Sequence, residues 1–247
     1  MISTLEILLL LIGTATLLAL AYSSFWAFSI RKALYQKTYR QRALWTGIFA
    51  TYSAIEIALI IYFPYITGSL AINIAFLILG SALLLILTAW ISSTIKVVIS
   101  LDPFHKNRLK WLQTKKLVWL ISAIIVAINI APALHLLGYI NFAPNFTFLN
   151  TLQITLFVAL FLYLISVAIA YHSVIQDKLM KAYLESFLYL LVILMLNIVL
   201  SPVSSALGLF IGQFELTDSL LILSAFFLYR MSKSLLPVIT KINLQYT

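Results

Sequence analysis

Glu56 interrupts an otherwise apolar run, thirteen residues from the start of the stretch 43–65. At the helical rise this is roughly 20 Å of depth, where an ionisable side chain is costly and marks a functional site by default. Tyr52 and Ser53, one turn earlier, share its helix face. Asn129 and Asn197 stand 12 and 13 residues into two further apolar runs, 117–139 and 184–211. Pro132 and Pro202 follow them and free the carbonyls of Ile128 and Ile198, where each helix can kink. A carboxyl, two amides and freed carbonyls at one depth make a proton site, a cation site or a polar gate. The same groups also fit simple interhelical glue, with a protonated Glu56 bonded to Asn129 or Asn197 at about 1 kcal/mol or less per bond. Equal depth does not make neighbours of three helices, so both readings stay open.

Other chemistry is excluded more firmly. The chain has no cysteine, which removes thiolate catalysis, Cys-ligated zinc, iron–sulfur clusters and disulfides. Its three histidines, His105, His135 and His172, share no i, i+4 spacing, and His135 and His172 belong to opposite ends of their runs. A metal centre and a bis-histidine haem are therefore not expected. Phosphate-binding loops, nucleophile elbows and paired carboxylates within a run are all missing, so the chain does not read as an enzyme and needs no cofactor. A retinal Schiff base would need a lysine amine midway along the last run, but Lys233 stands only at its end. Asn145-Phe146-Thr147 is an N-glycosylation triplet.

The elements that must position these groups follow from composition. Of 247 residues 63% are hydrophobic and 9% charged, against about 25% charged in a soluble domain. So few charges cannot coat a globule of this size. About 20 apolar residues cross the hydrocarbon of a bilayer as a helix. Seven such runs are legible: 5–30, 43–65, 70–95, 117–139, 150–172, 184–211 and 217–236. The expectation is an all-α polytopic protein of the cell membrane, one seven-helix domain over 1–247.

Charge placement orients it. Arg31, Lys32, Lys37, Arg40 and Arg42 fill the first connection. The third holds Lys96, Lys106, Arg108, Lys110, Lys115 and Lys116, the fifth Lys178 and Lys181, and the C-terminal end Arg230, Lys233 and Lys241. These are all 16 basic residues, and the remaining connections have none. The positive-inside rule then puts the N-terminus outside and the C-terminus inside, which an odd number of spans requires. Ala19-Leu20-Ala21 mimics a cleavage site, but no Lys or Arg precedes it, so the first run reads as a retained helix.

In the third connection, Asp102-Pro103 has the form of a helix start, and Leu101, Phe104, Leu109, Trp111 and Leu112 alternate with cations. That pattern predicts a helix lying in the membrane surface, as an anchor or as a docking surface for a cytoplasmic partner or a polyanion. Three functions fit this architecture: a subunit of a transport or translocation machine, a small-solute or ion transporter centred on Glu56, and a seven-helix sensor. In size, span count and lack of enzyme motifs the chain resembles the polytopic subunit of the crenarchaeal DNA-import (Ced) apparatus. That resemblance implies a membrane passage working with a cytoplasmic ATPase. It also implies that Arg31, Lys32, Lys37, Arg40, Arg42, Lys106, Arg108 and Lys110 meet the motor or DNA phosphates, which basic residues bind through charge and counterion release. Topology alone explains the same charges.

Overall fold

The computed structural model describes residues 4–34, 37–62, 70–101, 108–139, 146–175, 178–211 and 214–243. Among these, seven α-helices follow one another: α1 (Thr4–Ala33), α2 (Lys37–Tyr62), α3 (Leu70–Leu101), α4 (Arg108–Leu136), α5 (Phe146–Val174), α6 (Lys178–Ala206) and α7 (Leu220–Asn243). The fold is all-α apart from a two-residue pairing, β1 (Phe210–Ile211) with β2 (Phe214–Glu215), and one 3-10 turn, Leu216–Ser219. Five helices are long and apolar enough to cross a membrane, through the segments Glu6–Lys32, Ile78–Val97, Gln113–Pro132, Thr151–Ser173 and Lys181–Ser201. The chain thus has the make-up of a membrane protein. The two helices that fall short are α2, which carries Lys37, Arg40, Arg42 and Glu56, and α7, which carries Arg230, Lys233 and Lys241.

The helices close into a ring in chain order, each packed on the next and α7 packed on α1. Every seam holds a polar contact. Ser24 and Thr51 meet at 2.6 Å between α1 and α2, and Tyr52 donates to the Leu79 carbonyl of α3 at 2.7 Å. Thr88 and Ser122 join α3 to α4, and Thr114 meets Tyr163 of α5 at 3.0 Å. Glu185 of α6 takes His172 of α5 at 3.1 Å and Arg230 of α7 at 3.8 Å. Ser23 closes the ring by donating to the Ala225 carbonyl of α7 at 2.8 Å. Such bonds average about 0.6 kcal/mol in a bilayer, so they set register more than they hold the bundle. Tight packing does the rest. A Cβ on Gly47 would stand 2.8 Å from the Phe28 ring, so this seam admits no side chain there.

Two cores fill the ring. The larger takes residues from all seven helices, including Ile30, Phe49, Trp90, Val118, Leu164, Phe187 and Leu228. The smaller involves only α1, α2 and α7, through Leu9, Leu20, Ile57, Ile61 and Ala225. Alternating helix direction gathers the basic residues at the end where the larger core lies, called here the basic end.

Three expectations change. The run 184–211 does not stay helical to its end, because α6 stops at Ala206. Gly208 takes φ +66° and Leu209 donates back to the Ser204 carbonyl at 3.0 Å, a left-handed cap that only glycine adopts without strain. Gly138 (φ +78°) ends α4 in the same way, with Tyr139 bonded to the Leu134 carbonyl. The surface helix of the third connection is not a separate element in its described part. Arg108–Lys116 runs unbroken into α4, since nothing between Arg108 and Leu117 breaks a helix. Finally, α1 and α2 continue beyond their apolar runs into the basic connection.

Candidate functional site

Glu56 lies in the second half of α2, partly buried, one turn before the small-core residue Ile61. Opposite it, the 3-10 turn before α7 brings in Asp218, close enough for the two carboxyls to feel each other's charge. The same turn is held by Asn197 of α6, whose Nδ2 donates to the Thr217 carbonyl at 2.9 Å and to Asp218 Oδ1 at 3.3 Å. A second carboxylate thus reaches Glu56 from a loop, with an amide holding it in place. Tyr52 is also within electrostatic reach of Glu56, but its hydroxyl is committed to Leu79 of α3.

The structure unites Glu56, Tyr52 and Asn197 in one region and leaves Asn129 out. Asn129 is on α4, which packs on α3 and α5 across the ring. Among the described residues no hydrogen bond connects it to Glu56 or Asn197. α4 and α6 both continue as helices past Pro132 and Pro202. Asp218 was legible only as an outer-loop acid. Its one sequence signal is its position just ahead of the last apolar run, where carboxylates favour helix starts.

At the basic end the departure concerns Arg42. As a cation in a polar connection it was expected to face a partner, yet it is 1% exposed. Its Nε donates to the Tyr183 hydroxyl at 2.9 Å, its Nη1 to Thr46 Oγ1, and its Cζ lies 4.3 Å over the Trp90 ring centroid. Trp90 Nε1 also donates to Thr46 Oγ1, at 3.2 Å, while that hydroxyl donates to the Arg42 carbonyl at 2.9 Å. Phe49 and Phe187 pack on Trp90 from either side, at 5.7 and 5.6 Å between centroids. Among the described residues Arg42 has no ion pair. A guanidinium tolerates this because it is weakly hydrated and stacks on aromatic faces. Arg42 is therefore a structural bolt through α2, α3 and α6 rather than a surface contact.

The other basic candidates divide. Lys32, Lys37 and Arg40 are exposed and Arg31 is partly buried. Arg108 and Lys110 stand in the first turn of α4. Lys106 and the glycosylation candidate Asn145 lie outside the described residues. Among the described residues no group of three or more His, Asp or Glu is placed to hold a metal ion.

Compared with known proteins, the chain matches no family model, no curated protein and no solved structure.

Proposed function

We propose that the chain is a seven-span membrane protein of the transport class, with its N-terminus outside, and that Glu56 takes up a proton from the outer side. The topology rests on the gathering of Lys and Arg at one end of the ring. Proton uptake rests on one observation: Asp218, held by Asn197, faces Glu56 in the half of the molecule where only three helices form the core. Two carboxyls repel in a low dielectric, and one proton between them removes that repulsion. Calcium takes six to eight oxygens; two carboxyls and an amide fit a proton better. The inner side is closed by the Arg42–Trp90 cluster, as expected of a carrier that opens one side at a time.

The test is proton flux into liposomes holding the purified protein, followed with an internal pH dye under an imposed gradient. Glu56→Gln keeps the helical circular dichroism and loses most of the flux. Full flux in that variant sinks the proposal and leaves the glue reading.

A second reading, a translocation subunit that meets a cytoplasmic motor or DNA, is supported by the exposed Lys32, Lys37 and Arg40 at the basic end. The large core fills the ring with Trp90, Phe187 and Leu190, so a DNA passage on this reading forms between copies. Depleting the protein and assaying DNA uptake tests it; normal uptake removes it.

A further inference from the structure

Between α2, α3 and α4 a groove of about 420 Å³ opens at the basic end. Its walls are apolar, and two indoles, Trp45 and Trp119, stand on either side. Lys96 and Lys115 line it with Gln41, and no carboxylate is among its lining residues. Among the described residues neither lysine is in an ion pair. Ser92 also lines the groove; it is 5% exposed, and its hydroxyl has no hydrogen-bond partner. Neighbouring Ser93, by contrast, is satisfied by the Trp90 carbonyl at 2.7 Å.

These features ask for one kind of occupant. An unpaired buried hydroxyl is costly until an acceptor reaches it. Two ammoniums without a counter-charge ask for an anion, and apolar walls ask for a hydrocarbon chain. Tryptophans place the site at headgroup level, since indoles concentrate at the membrane interface. We infer that this groove binds an anionic phospholipid of the inner leaflet, its phosphate between Lys96 and Lys115 and its chain along the α3 wall. Basic pockets between membrane helices on the cytoplasmic side bind phosphate headgroups by the same physics. A free phosphate would leave the apolar walls uncovered, which is why the occupant is a lipid.

The inference rests on the spanning topology proposed above but not on proton uptake. The purified protein is placed in nanodiscs of phosphatidylcholine doped with phosphatidylglycerol, and the lipids retained are counted by native mass spectrometry. Incorporation into pure phosphatidylcholine discs tests the spanning topology separately. With one lysine worth about fivefold near a membrane surface, wild type prefers phosphatidylglycerol about thirtyfold. Lys96→Gln or Lys115→Gln lowers this about fivefold, and the double variant abolishes it. Ser92→Ala shortens retention of the bound lipid without changing incorporation. Equal retention of the two lipids by wild type overturns the inference. So does an undiminished preference in the double variant, or displacement of the lipid by millimolar inorganic phosphate.

Discussion

Helix α2 carries a buried cation near one end and a carboxylate near the other, and the molecule treats the two differently. Around Arg42 every surrounding helix contributes packing, and the guanidinium is satisfied by neutral hydroxyls and an aromatic face. Around Glu56 the core thins to three helices, and the nearest charged group is another acid. A cation that cannot lose its proton is locked into structure, because a guanidinium stays charged in proteins. A carboxyl that exchanges its proton is left where packing is sparse and the loop side is near. The contrast teaches that burial alone does not mark a working group; burial beside a like charge does.

The comparison breaks most visibly at Arg42. Arg42→Ala leaves the Tyr183 and Thr46 hydroxyls without their donor and opens a cavity beside Trp90. It is expected to cost about 3–5 kcal/mol, the range of large-to-Ala core changes. Unfolding in mixed micelles followed by tryptophan fluorescence measures this, and a cost below that of a surface mutation refutes the bolt. Gly47→Val comes next, at about 1–3 kcal/mol for overpacking against Phe28. Pairing it with Phe28→Leu recovers part of the loss if that ring is the obstacle. Trp90→Phe keeps an aromatic face under Arg42 and removes one hydrogen bond, for about 1 kcal/mol. Glu185→Gln, at a largely solvated ion pair, is expected to cost under about 1 kcal/mol, less still in high salt. On the other side of the comparison, Glu56→Gln moves flux and leaves the unfolding midpoint near that of wild type. A midpoint change as large as that of Arg42→Ala would make Glu56 a structural residue too.

Much of the fold could be read in the residue pattern, and less of the site. The apolar runs located every helix because each helix in lipid must satisfy its own backbone, which leaves length and composition decisive. Their ends were less legible, since Gly208 stops α6 inside an apolar stretch while charged residues prolong α1, α2 and α4. Depth along a helix placed Glu56, Asn129 and Asn197 at one level but said nothing of azimuth. Ring order then separated Asn129 from the other two. Arg42 misled because a cation in a basic stretch is normally solvated, and only the cross-ring partners Trp90 and Tyr183 reveal otherwise. Asp218 was hidden by sequence distance, being brought to Glu56 by the closure of α7 on α1.

That closure has a consequence for how the protein is made. Because α1 and α7 pair with rising residue numbers together, Ser23 with Ala225 and Trp26 with Tyr229, they are the one pair of ring neighbours running in parallel. Six helices can assemble antiparallel as they leave the ribosome, yet the flank of α1 that bears Ser23 and Trp26 has no partner until the last helix arrives. During synthesis that flank is an open edge, a natural place for an insertase or chaperone to hold the nascent chain. Truncation anywhere before α7 therefore produces an unsealed crescent rather than a smaller ring, and quality control would be expected to read the final helix as the signature of a finished molecule.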